Sequence, residues 1–195
     1  AIRVVVLRGS GPVFSSGIDL RTFTPEGVDG ESTMTAIAAA DDDQAADLIA
    51  EFQRAFTWWH DRDVLTVAVV QGAAVGAGFQ LALACDLRVC STAARFSMRE
   101  TSLGLVPDLA GTQPLVRAVG YGRAVEMCVT GRWVGADEAL GLGLASAVVE
   151  ADDLDETVGD LVAALLAAPE SAARATKAVL RSALTADPVA QREVE

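Results

Sequence analysis

The sequence predicts an α/β fold, and three observations carry that expectation. Residues 67–70 form an unbroken apolar run, as in a strand covered on both faces. Gly72, Gly76 and Gly78 then punctuate the chain before the apolar segment 79–85, so strand, glycine turn and buried helix follow one another. The pairing also occurs at the start, where the strand-like run 2–7 enters a loop carrying Gly9, Gly11, Pro12 and Gly17. A βα turn of this kind leaves backbone N–H donors free at the helix start, and its glycines let a ligand approach closely. A tight turn that needs glycine only for its angles has the same pattern.

Taken in order, residues 2–7 read as the first strand. Residues 24–47 are rich in Gly, Asp, Thr and Ala, with Asp41, Asp42 and Asp43 in a row, and they show no apolar stripe; a mobile acidic loop is expected. Leu48, Phe52, Phe56 and Trp59 fall at helical spacing and predict a helix that buries one face. It leads past His60, read as a loop residue, into the strand at 64–70. A strand at 86–90 completes a βαβ unit. Residues 96–112 read as loop and short helix bearing Glu100, Gly104, Pro107 and Asp108. Helices are expected at 115–119, 123–129 and 136–140, then a short apolar piece at 145–149. Amphipathic helices at 153–167 and 172–184 flank Pro169.

With 195 residues, 51% of them hydrophobic, the chain is sufficient for one well-formed core. A formal net charge of −12 argues against a nucleic-acid surface, which needs a concentrated basic face. No apolar run is long enough to span a bilayer and no signal segment opens the chain, so a soluble, cytoplasmic protein is expected. Cys85, Cys90 and Cys128 show neither metal-ligand spacing nor an even disulfide set and read as core thiols; no metal site is expected. His60 is the only histidine, so a Ser-His-Asp relay would have to be built on it. Dinucleotide and NTP phosphate-loop patterns are missing from the sequence.

Four stretches, FSSGIDL, QGAAVGAGFQLALACDLRV, ARFSMRETSLGLVPDLAGTQPLVRAVG and GRAVEMCVTGRWVGADEALGLGLASAVV, follow one another across most of residues 2–150. In this order they resemble the enoyl-CoA hydratase/isomerase (crotonase) superfamily. The resemblance implies a crotonase-like ββα spiral core over 1–150 and a helical C-terminal region over 151–195 that serves oligomerisation, in a homotrimer or homohexamer. Relatives usually carry a further N-terminal segment and continue past the last helix, so this chain is expected to be part of a longer protein.

The resemblance also implies an acyl-CoA thioester as substrate, with no other cofactor. The thioester oxygen would be held by the backbone N–H groups of Ile18 and Ala77, the latter standing where relatives commonly have glycine. Family hydratases hold and activate water with two glutamates, at the positions of Gln80 and Glu100. An amide orients water but cannot accept its proton at neutral pH, so Gln80 weakens two-carboxylate hydration. Glu100 and Asp108 remain as catalytic candidates, an arrangement similar to that of the family's enoyl- and dienoyl-CoA isomerases. Double-bond isomerisation is therefore the favoured expectation, with hydration or non-catalytic acyl-CoA binding as alternatives. Each carboxylate also has a purely structural reading: Glu100 as the ion-pair partner of Arg99, and Asp108 as a helix N-cap. Ser16, Asp19, Leu20 and Arg21 are the implied CoA contacts, with Gly76 and Gln80 on the substrate side. Arg21 reads equally as a solvated side chain. Asp86 is expected to hydrogen-bond structurally, and the resemblance sets Lys177 near a neighbouring subunit's ligand.

Overall fold

A computed structural model describes residues 1–29 and 33–194. In chain order its strands and helices are β1 (Val4–Arg8), α1 (Thr33–Ala39), α2 (Asp42–Asp61), β2 (Leu65–Val70), β3 (Ala73–Val75), α3 (Ala77–Ala84), β4 (Leu87–Ser91), β5 (Arg95–Ser97), α4 (Thr112–Val119), α5 (Tyr121–Thr130), β6 (Val134–Gly135), α6 (Ala136–Gly141), β7 (Ala147–Val149), α7 (Leu154–Ala167), α8 (Glu170–Ser182) and α9 (Pro188–Val194). The α/β class is the one expected. Four strands form a parallel sheet in the order β1-β2-β4-β7, with Val6 opposite Val67 and Val89 opposite Ala147. A smaller sheet runs β3-β5-β6, with β5 and β6 antiparallel.

The central strand β2 explains how one sheet serves two cores. Successive side chains of a strand point to opposite faces. Ala68 and Val70 join Phe79, Phe96, Leu115 and Met127 in a core on one face, while Val67 and Val69 join Val89, Leu154 and Val158 on the other. The second core is closed by α7, whose Leu154, Val158, Leu161, Val162 and Leu165 make a helical stripe against the sheet. Strands buried on both faces read as continuous apolar runs, and for this reason 67–70 stands out in the sequence.

Several expectations are corrected. The first strand begins at Val4, with Ile2 70% exposed. The acidic stretch expected to be mobile is largely helical in its second half. The Asp41 carboxylate accepts the Gln44 N–H at 2.9 Å and caps α2, and Asp42 and Asp43 in the first turn complement the helix dipole. That acidic run begins a helix six residues ahead of Leu48; residues 30–32 of the stretch lie outside the described residues. His60 is in the last turn of α2, not in a loop. Phe52 on that helix remains exposed, so its apolar face is less covered than the spacing predicts. The short sheet β3-β5-β6 and helix α9 have no counterpart in the sequence reading.

Lys177 contributes to its own fold. Its side chain is 6% exposed and points into its own chain, donating to the Asp86 carboxylate at 2.7 Å and to the Val64 carbonyl at 2.8 Å. Asp86 Oδ2 further accepts the Thr66 N–H and hydroxyl, and Thr66 Oγ1 in turn accepts the Asp86 N–H, so α8, β2 and the end of α3 are tied at one point. The His60 ring lies 3.8 Å from the other Asp86 oxygen. Among the described residues, no helix is long and apolar enough to cross a membrane.

Candidate active site

The first glycine-lined bend is held against the second by backbone hydrogen bonds. Phe14 and Ser15 N–H both donate to the Ala73 carbonyl, and Val75 N–H donates back to the Ser15 carbonyl, so residues 14–15 run beside β3 as an extra edge. The chain then turns at Gly17, whose φ of +104° favours glycine. A β-carbon there would stand 3.0 Å from the Val75 carbonyl oxygen and 4.0 Å from the Ala77 nitrogen. The bend carrying Ile18 therefore abuts the start of α3, where Ala77 is the first residue. Neither the Ile18 nor the Ala77 amide donates a hydrogen bond to another described residue.

The second bend turns at Gly76, with φ +52° and its N–H donated to the Ser97 carbonyl at 2.9 Å. A β-carbon at Gly76 would touch Glu100 Oε1 at 3.4 Å, so the N-cap glycine of α3 lies directly against the carboxyl group. Glu100 opens a short 3-10 turn, Glu100–Leu103, after β5, and it is 9% exposed. Its Oε1 accepts a hydrogen bond from Gln80 Nε2 at 2.6 Å; its Oε2 is buried and accepts none. No ion pair joins Glu100 to Arg99 among the described residues; the Arg99 guanidinium stacks on the Trp133 ring instead, 5.4 Å from its centroid. Behind Glu100 lies α5, where burial pushes the Cys128 thiol up and the nearby Glu100 charge adds to the effect.

Gln80, 1% exposed on α3, does more than the sequence reading assigned to it. Besides meeting Glu100, its Oε1 accepts the N–H groups of Leu109 at 2.9 Å and Gly111 at 3.2 Å. Asp108 immediately precedes this anchored loop and is exposed. Its carbonyl accepts from Gln53 of α2 at 2.7 Å, and the α4 N-cap is Gly111 without a side-chain bond, so Asp108 does not cap that helix. Gln53 and the 109–111 amides escaped the sequence reading because nothing local to them marks the contact; the one partial signal was a buried amide on the face of an apolar helix.

Ile18, Gly76, Ala77, Gln80 and Glu100 are thus brought together, with Asp108 one residue from the anchored loop. Ser16, Asp19, Leu20 and Arg21 are exposed on the first bend. There Arg21 forks onto Asp19, with Nη2 to Oδ2 at 2.6 Å and Nε within 3.1 Å of both oxygens, and these bonds hold the Asp19 carboxyl down at about 2. Arg21 is therefore neither unpaired nor merely solvated. Two unengaged amides beside a buried carboxyl with one unengaged oxygen form a group able to stabilise a developing oxyanion and to move a proton next to it.

Comparison with known proteins shows the family. The enoyl-CoA hydratase/isomerase family matches residues 1–195. A Thermobifida fusca YX protein crystallised in complex with acetoacetyl-CoA superposes with a TM-score of 0.93 at 50% identity, covering 100% of this chain and 75% of that one. The peroxisomal Δ(3,5)-Δ(2,4)-dienoyl-CoA isomerase of Arabidopsis thaliana is 34% identical over 180 residues, which are 92% of this chain and 64% of that protein. The short-chain-enoyl-CoA hydratase of Clostridium acetobutylicum is 36% identical over 121 residues, 62% of this chain and 46% of that one. The chain spans less than two thirds of the length of these curated relatives.

Proposed function

The chain is a member of the enoyl-CoA hydratase/isomerase family, and from that premise we propose that it binds an acyl-CoA thioester and shifts a double bond of an enoyl- or dienoyl-CoA. The observation that carries the isomerase reading is the pairing at the site. One buried carboxylate, Glu100, meets an amide rather than a second carboxylate, and one of its oxygens is unengaged. A positional shift needs a single base. Glu100 Oε2 takes a proton from the carbon beside the thioester carbonyl, the C–H electron pair moves into the conjugated system, and negative charge collects on the carbonyl oxygen. The amides of Ile18 and Ala77 receive that oxygen. Backbone donors need no reorganisation as charge develops; a single donor in a comparable oxyanion hole is worth roughly 10²–10³ in rate. Glu100, or Asp108 at the far end of the acyl chain, then returns the proton to a more distant carbon. Ser16, Ile18, Asp19 and Leu20 are proposed to line the CoA moiety, with Arg21 and its Asp19 partner at the phosphate end. Gly76 borders the acyl group. A homotrimer or homohexamer, joined in part by residues 151–195, is the proposed assembly, supported by the exposed Leu180, Val189 and Val194.

Assays on 3-enoyl-, 3,5-dienoyl- and 2-enoyl-CoA test the proposal. Isomerisation that is lost in Glu100→Gln and reduced in Asp108→Asn supports it. Water addition to 2-enoyl-CoA without isomerisation replaces it with the hydratase reading, which the similarity to the Clostridium hydratase favours. Tight acyl-CoA binding with no turnover replaces both with a binding role.

A further inference from the structure

The Gln80 carboxamide contacts both Glu100 and the loop 109–111, and its orientation is fixed by its partners. Its Oε1 faces two N–H donors, those of Leu109 and Gly111, and its Nε2 faces the Glu100 oxygen. Turning the amide over would set an N–H against two donors and an oxygen against an oxygen, so this orientation alone satisfies every contact. The loop it grips is shaped for that grip. Ala110 adopts a φ of +61°, uncommon for a residue with a β-carbon, which lets the amides on either side of it converge on one oxygen. At Gly111 a β-carbon would stand 2.6 Å from Gln80 Cγ, so the loop closes onto Gln80 only because no side chain is present there.

We infer that Gln80 is a positioning residue: it clasps Glu100 through Oε1, leaving Oε2 as the oxygen that exchanges the proton, and it anchors residues 109–111, the loop that follows Asp108. The inference deepens the proposed function and rests on it for its catalytic part. A carboxylate in place of Gln80 could still accept the two loop N–H groups. Toward Glu100, however, it would bring oxygen against oxygen at 2.6 Å, a contact that stands only with a proton shared between them. Glutamine makes both clasps while leaving one carboxylate to do the chemistry.

Two variants separate the clasps. Gln80→Met removes both, and Gln80→Glu keeps acceptors for the loop while losing the donor toward Glu100. Hydrogen exchange at Leu109 and Gly111, and the infrared carboxylate band of Glu100, identified by its loss in Glu100→Gln, read the clasps without any substrate. In Gln80→Met, exchange at 109 and 111 is expected to accelerate by about tenfold or more, and the Glu100 band to shift. On the substrate that the wild-type protein isomerises, kcat is expected to fall about a hundredfold, as for a misplaced reacting group, while KM stays within about threefold. Gln80→Glu should restore the exchange protection without restoring kcat. An unchanged Glu100 band and unchanged exchange in Gln80→Met, a loss confined to KM, or full isomerase turnover in Gln80→Glu would each overturn the inference. Should Gln80→Met fail to fold, Gln80→Glu decides alone. Should the wild-type protein turn over no acyl-CoA, the proposed function fails separately, and the band and exchange measurements still decide the clasp.

Discussion

Two buried polar clusters lie at opposite ends of α3, and they are built differently. At its C-terminal end Asp86 Oδ2 meets the Lys177 ammonium and both the N–H and the hydroxyl of Thr66, so the charge is matched and the carboxylate is well supplied with donors. At its N-terminal end Glu100 meets a neutral amide through one oxygen and nothing through the other. A buried polar group without a partner costs free energy, and folds retain such groups mainly where function needs them. The satisfied cluster ties helices to the sheet; the unsatisfied one leaves an oxygen unengaged, as the proposed reaction requires.

The largest expected effect comes from Glu100→Gln, which should lower isomerase kcat by about 10²–10⁴-fold, the range typical of a general base. Urea unfolding of the same variant should show stability unchanged or raised, because no matched charge is lost. A destabilised Glu100→Gln would erase the contrast between the clusters. Lys177→Met should do the reverse. Removing one member of a buried ion pair costs about 3–5 kcal/mol, read as a lowered urea midpoint, while kcat of the folded fraction holds. Gly111→Ala sharpens the comparison from the loop side. Its new methyl group meets Gln80 Cγ at 2.6 Å, so overpacking of about 1–3 kcal/mol is expected, together with a fall in kcat that the same change at exposed Gly122 would not produce.

The smallest effect belongs to Asp19→Asn on the exposed first bend. The Arg21 bonds depress the Asp19 carboxyl from its ordinary 3.8 to about 2, so its contribution to stability is present above pH 4 and lost as pH falls through 2. Exposed pairs contribute little, so thermal midpoints of the two proteins should differ by no more than about 2 °C at pH 7 and converge near pH 2. A larger difference at neutral pH would show that the bend depends on this pair more than its exposure implies.

Legibility follows the range of each interaction. The two glycine bends could be read because a positive φ and a close approach are needed at Gly17 and Gly76 themselves. Glu100 and Asp108 were legible only through the resemblance to the enoyl-CoA hydratase/isomerase superfamily, because no local pattern separates them from the chain's other carboxylates. The helical start at Asp41 departs from the expected mobile loop because a side-chain cap, not an apolar stripe, begins that helix. The second role of Gln80 could not be read at all, since its loop partners lie 29 and 31 residues further on.

By itself the sequence determined the α/β class, the two-sided burial of 67–70 and the existence of two glycine turns, because hydrophobic period and backbone angle are properties of neighbouring residues. Only the tertiary structure decided which Glu100 oxygen is engaged and which is not, and that Lys177 turns inward to Asp86. Those outcomes rest on directional hydrogen bonds between groups 20 and 91 residues apart, and direction at that separation is set by packing, not by any local pattern.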